Sequence, residues 1–179
     1  NDLMKLILRT LSTLLILVTG VVLGVFAVAR FHDGPLEGAL AIVAAGPFDS
    51  GEMQTGTEEP DWAFVRDYST VEFQLLDPVR SRTTWIMEHE GRIFIPSGYM
   101  NSFLGKVWKH WPKEAEEDGR AILRVDGKLY ERQMVRIRDE TVATPVLSEL
   151  SRKYVGGAPI PFQQVESGDI WLFELRPRS

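Results

Sequence analysis

The sequence predicts a mainly β domain of the α+β class, a small antiparallel β-barrel with peripheral helices, carried behind one N-terminal transmembrane helix. Three observations lead there. Residues Leu11 to Ala29 form an apolar run without a single charge. From Asp61 onward the apolar residues alternate with polar ones or fall in short blocks, the period of strands. Two turns rich in glycine, His89-Glu90-Gly91 and Asp126-Gly127, sit between such blocks as hairpin signals.

The apolar run comes first. As a helix, its roughly nineteen residues extend about 28 Å, near the thickness of a bilayer's hydrocarbon core. Ala27-Val28-Ala29 also matches the small-residue pattern of a signal-peptidase site, but we expect the segment to stay as an uncleaved anchor. Lys5 and Arg9 precede the run, and Arg30 is followed by the acidic Asp33 and Glu37. The positive-inside bias therefore points to a single-pass protein of the inner, cytoplasmic membrane, with its N-terminus in the cytoplasm and its C-terminal domain periplasmic. Gly20 and Gly24 form a G-x-x-x-G spacing that admits a second helix at close range, although glycine is common in membrane helices generally.

Three regions follow from this reading: an anchor over residues 1–30, a Gly/Pro-rich linker over 31–60 that packs on the domain, and a β domain over 61–179. The linker carries breaks at Gly34-Pro35, Gly46-Pro47 and Gly51 and a short apolar run from Leu40 to Ala45, too apolar to remain solvated throughout. The chain has 179 residues, a net charge of −5 and 25% charged residues, the balance of a globular fold. An acidic chain lacks the basic face that nucleic acid requires. With no cysteine, disulfides, thiolate catalysis and Cys-ligated metals are excluded.

Within the domain, Val71, Phe73 and Leu75 alternate with Glu72 and Gln74 as a half-buried strand. Residues 83–87 and 92–95 flank the first hairpin turn, and 122–125 and 129–138 flank the second. A last strand, Ile170 to Leu175, ends before Pro177. One helix is expected from Trp108 to Glu117, with Pro112 in its first turn. A second is expected to open at Thr144 as N-cap with Pro145 as first helical residue, and to end at Gly156-Gly157.

The order of these pieces resembles the split-barrel family of pyridoxamine-phosphate oxidase-like flavoproteins and deazaflavin-dependent nitroreductases. The residues that carry the resemblance are Thr84-Trp85-Ile86 to Ile93-Phe94-Ile95-Pro96-Ser97-Gly98, then Lys109-His110-Trp111-Pro112, then Asp118 to Leu123 and the hairpin around Asp126-Gly127. The resemblance implies a split β-barrel, an FMN or deazaflavin phosphate held between two subunits, and hence a homodimer. Carried over residue by residue, it makes Ser97 and Lys109 phosphate contacts, adds Arg82 and Thr84 from a strand, and offers Trp108 or Trp111 for stacking on the ring. Cationic and hydroxyl side chains are what phosphate oxygens require. Where flavin binders carry a Ser/Thr-rich phosphate loop, this chain has Tyr99 to Gly105.

The remaining chemistry is sparse. His89 reads as a turn residue, and His110 as a structural residue at a helix start or as a proton donor or haem ligand. Glu114, Glu116 and Glu117 suit a helix N-terminus by dipole alone. Arg132, Arg136 and Arg138 share one strand face, read here as the wet side of an edge strand rather than an anion groove. Trp85, Trp108, Trp111 and Trp171 read as core. The sequence thus supports first an accessory or structural subunit docked on a larger membrane complex, with lipid and its other subunits as partners and with or without a cofactor. The alternative is a flavin- or deazaflavin-dependent oxidoreductase of the nitroreductase or quinone-reductase type.

Overall fold

The computed structural model describes residues 2–56, 58–102 and 110–178. Helix α1 (Asp2–Arg30) is long and apolar enough to cross a membrane, and none of its apolar stretch is covered by the rest of the chain. Ala29, at its C-terminal end, is the first buried residue.

The β domain is one antiparallel sheet curled into a half-barrel, as the sequence predicted. Its strands are β1 (Glu52–Met53), β2 (Val71–Leu76), β3 (Val79–Thr84), β4 (Met87–His89), β5 (Arg92–Ser97), β6 (Arg120–Val125), β7 (Lys128–Ile137) and β8 (Trp171–Pro177). They lie in the order β3-β2-β6-β7-β8-β5-β4, with β1 adding a short parallel pairing to the start of β7. Both expected hairpin turns are present. Asp126 and Gly127 take φ of 51° and 71°, and Glu90 and Gly91 take 52° and 74°, the left-handed pair that matches the twist of the flanking strands.

Two cores lie on opposite faces of the sheet. The barrel interior collects Phe73, Leu75, Ile93, Ile95, Leu123, Met134, Phe173 and Leu175, closed by Trp111 and Ala115 of helix α2 (Trp111–Glu117) and by Trp62 and Val65 of the 3-10 turn Trp62–Asp67. The outer core packs Val146, Leu147 and Leu150 of helix α3 (Glu140–Tyr154) against Met87, Phe94 and Leu172, with Val165 from the short helix α4 (Gln163–Glu166). Strands β5 and β8 are therefore buried on both faces. That is why Ile93-Phe94-Ile95 and Leu172-Phe173 read as unbroken apolar runs rather than alternating ones.

The structure corrects three expectations. Residues 83–87 are not one strand: β3 ends at Thr84, and Trp85-Ile86 cross to the opposite edge strand β4. Helix α3 starts at Glu140, capped by Asp139, whose Oδ1 accepts from Thr141 N–H at 2.8 Å, and Pro145 lies inside the helix rather than at its start. Asp139→Ala is therefore expected to lower the thermal midpoint by a few degrees, while Thr144→Ala, which removes no cap, leaves it nearly unchanged in the same melting experiment. Finally, β7 is an interior strand, so the arginine row is not the wet side of an edge.

The segment that follows α1 is folded onto the barrel. Gly46 N–H donates to Ala29 O at 2.8 Å, Ala45 bridges to Ser81 of β3, and Ser81 Oγ donates to Gly46 O at 2.6 Å. A Cβ on Gly46 would lie 2.4 Å from Arg30 O, so only glycine permits this approach. Phe48 N–H reaches Gln74 Oε1 at 2.6 Å on the outer face of β2.

Candidate functional site

A cleft of about 820 Å³ opens between edge strand β3, the end of β5, α2 and the C-terminal turn of α3. Its walls are largely apolar, from Phe73, Trp85, Trp111, Leu150, Val155 and Ile160. A volume of this order suits a small organic ligand.

The register of the β2–β3 hairpin puts one charge on the cleft wall. Phe73 pairs with Arg82 and Val71 with Thr84, so Arg82 and Thr84 share the inward face of β3. Arg82 Nε is buried and makes no hydrogen bond. Burial lowers the guanidinium's pKa, and the Glu114 carboxylate opposes that by attraction from α2. Glu114 has its own buried, unpartnered Oε2, and its Oε1 stands 4.0 Å from Arg80. A cation and a carboxylate that attract each other without bonding, each with an idle polar atom, form a polar pole beside an apolar chamber.

Helix α3 holds the other wall. Trp85 is 45% exposed and lies flat on Tyr154, with ring centroids 4.6 Å apart and planes 6° apart. The Tyr154 hydroxyl accepts from Ile86 N–H at 3.0 Å and lies 2.9 Å from the carbonyls of Ser69 and Ile86. Lys153 Nζ donates to Val65 O and Ile86 O. Burial raises the pKa of the Tyr154 phenol and lowers that of the Lys153 ammonium. These bonds anchor the crossing from β3 to β4.

The sequence-derived residues fall as follows. Arg82, Thr84, Ser97 and Trp111 all line this one cleft. Ser97 is buried, and its hydroxyl donates to Met100 Sδ at 3.3 Å. Trp111 is packed edge-on against Phe73 at 5.0 Å and tilted against Phe173 at 5.5 Å, so most of its ring is committed to the core. Lys109, Trp108 and residues 103–105 of the Tyr99–Gly105 segment lie outside the described residues. A Cβ added at Gly20 or Gly24 would meet no other part of the described chain within 4 Å.

The other candidates resolve into structural roles. Arg132 is buried, with Nη1 2.8 Å from both Glu59 carboxylate oxygens and its guanidinium over the Trp62 ring. Arg136 lies 3.3 Å over Trp171 and bonds Glu116, which also takes Arg138. His89 stands 3.9 Å from Glu90 beside its turn. Among the described residues no cluster of His, Asp and Glu is arranged to hold a metal ion. Sequence reasoning missed the Trp85–Tyr154 stack. Trp85 looked like one more apolar residue of a strand, and Tyr154 like the last apolar position of a helix face.

Fold and cleft together define a split-barrel domain carried behind a helix of membrane-spanning character. No family model matches the chain, and no curated protein matches it. Among solved structures it is similar to the conserved hypothetical protein Rv2991 from Mycobacterium tuberculosis, at 14% identity over 65% of this chain and 77% of that one, with a TM-score of 0.45. It is also similar to a putative pyridoxamine 5'-phosphate oxidase from Listeria innocua, at 12% identity over 65% of this chain and 90% of that one, with a TM-score of 0.44.

Proposed function

We propose that this chain is a membrane-anchored split-barrel oxidoreductase whose cleft binds a phosphorylated cofactor of the flavin or deazaflavin class. The observation that carries the reading is Arg82: a half-buried cation whose Nε is buried and unbonded, set in the wall of an apolar cleft of ligand size. The residues present fit such a group. Arg82 would neutralise a phosphate and Thr84, on the same face, would donate to it, while Trp85 and Ile160 line the ring-sized remainder. Ser97 joins them by giving up its weak bond to Met100. When bound, such a cofactor supplies hydride transfer, and the chain's part is to hold and orient it. The proposal includes the homodimer that the resemblance implies, and a domain on the outer side of the cytoplasmic membrane, by the Lys5 and Arg9 bias.

The test is calorimetric titration of the full chain in mild detergent with FMN and with a deazaflavin phosphate. Arg82→Ala is expected to weaken binding at least tenfold, about 1.4 kcal/mol, with the melting temperature little changed. A wild-type chain that binds neither compound refutes the reading.

A second reading, the accessory subunit, is supported by α1, whose apolar window is uncovered and whose Gly20 and Gly24 leave open space beside the helix. It predicts that the chain leaves native membranes in mild detergent together with a larger complex, and that Gly20→Leu with Gly24→Leu releases it. A chain that elutes alone counts against it.

A further inference from the structure

We propose that the barrel is seated on the bilayer, with the segment after α1 and the mouth of the cleft in contact with the lipid headgroup layer. This goes beyond the cofactor reading and stands whether or not a cofactor binds. It rests on three observations.

The first is the junction. Thirty linker residues in extended form would reach about 100 Å. Instead the chain turns back at once: Gly46 is bonded to Ala29 in the helix's last turn, and Ala45 is bonded to Ser81, the neighbour of Arg82. Along that path of two hydrogen bonds, the Arg82 backbone lies within roughly 20 Å of the helix end. The cleft wall is tied to the anchor rather than hung below it.

The second is where the exposed apolar side chains lie. Phe31, 87% exposed, follows the helix directly, and Leu40 is exposed on the 3-10 turn Gly38–Ile42. Ala41 of that same turn lines the cleft together with Trp85, Tyr99 and Val155, each exposed at the cleft. The membrane-proximal segment thus reaches the cleft at Ala41, one residue from the exposed Leu40. The third is chemistry. Among the described residues that line the cleft, the charged ones are Arg82 and Asp169, and aromatic rings with polar tips, Trp85 and Tyr99, suit the headgroup depth. The occupant that fits is a lipid surface continuous with the bilayer around α1, recognised by apolar burial.

Because the chain has no cysteine, single labels are unambiguous. Full-length Leu14→Cys, Leu40→Cys, Val155→Cys and Glu140→Cys, each carrying an environment-sensitive fluorophore, are reconstituted in phosphatidylcholine vesicles containing nitroxide-labelled phosphatidylcholine. Glu140 lies about 21 Å up α3 from the cleft end of that helix. Quenching at positions 40 and 155 is expected to exceed that at 140 by at least about twofold. Intrinsic tryptophan quenching by brominated lipid should fall when Trp85 is replaced by Phe. Quenching at 40 and 155 no greater than at 140, with position 14 quenched, overturns the seat and leaves the anchor. An unquenched position 14 removes both. None of these readouts involves the cofactor, so their failure is distinct from failure of the binding test.

Discussion

Trp111→Ala is expected to lower the stability of the barrel by about 3–5 kcal/mol, with a fall of roughly 10 °C or more in the thermal midpoint. The residue is buried, and it wedges α2 between Phe73 of β2 and Phe173 of β8 on opposite sides of the barrel interior. Truncation removes the ring's transfer free energy and leaves a cavity that strands on two sides cannot collapse into. Trp111→Phe keeps an aromatic edge against both partners and is expected to lose well under half as much. The pair of variants separates two roles. If Trp111 serves the core, stability falls in proportion to lost volume, and ligand binding falls only as the cleft floor disorders. If its role is to stack on a bound ring, Trp111→Phe loses binding while melting as wild type does. Near-UV circular dichroism during heating, followed by titration of each variant, decides between them.

How much of this was legible in the sequence depends on whether the signal was local. The turns at Glu90-Gly91 and Asp126-Gly127 were legible because a left-handed pair restricts residue choice within two positions. The strand from Val71 was legible because its inward residues face one core. The first hairpin, β2–β3, was not. Its second strand, Val79 to Thr84, carries Arg80 and Arg82 on its inward face, because that face borders α2 and a cleft instead of packed core. A charge at an inward position of an edge strand breaks the apolar alternation that marks a strand. The same residue that hid the strand is the one that gives the cleft its polar pole.

The start of α3 misled for a different reason. Thr144-Pro145 is a sound N-terminal signal by itself, yet Asp139-Glu140 is another, and Ala143, buried with Val146 and Leu147 in the outer core, extends the packed helix backward. Tertiary burial outweighed the hydrogen bond that Pro145 forgoes. Arg132 misled because its cover comes from far along the chain. Glu59 and Trp62 lie some seventy residues earlier, and no local pattern announces them. Of the site, four residues drawn from the resemblance do line one cleft. What pattern alone did not reveal is that one of them is a cation whose Nε makes no bond and another is largely core.

Arg124→Ala is expected to detach the segment after α1 from the barrel and to cost about 2–3 kcal/mol. Arg124 joins three parts of the chain. Its Nε donates to Glu72 at 2.6 Å on the neighbouring strand, its Nη1 donates to Asp33 at 2.8 Å, and its guanidinium lies 4.2 Å from the centre of the Phe48 ring. Asp33 in turn accepts from the backbone N–H of Asp49 and from Ser50. The loss stays below that of a fully buried ion pair because Asp33 and Glu72 are each about a third exposed and regain water when the cation goes. Burial raises the Asp33 pKa, but the bonds from Ser50, Asp49 and Arg124 outweigh it and hold the carboxyl well below its ordinary range. The sign follows from linkage. A carboxyl whose pKa is depressed by folding contributes stability above its unfolded value, and that contribution drains away as pH falls from about 4 toward the folded value. Limited proteolysis of the full chain in detergent should therefore show cleavage between Asp33 and Ser50 rising as the wild type is acidified below about 4. In Arg124→Ala the segment should be cut readily at neutral pH, with a smaller further rise on acidification. Equal resistance of variant and wild type at neutral pH would show that the clamp does not hold the segment. The bilayer seat would then have to rest on the Ala29–Gly46 and Ala45–Ser81 bonds alone.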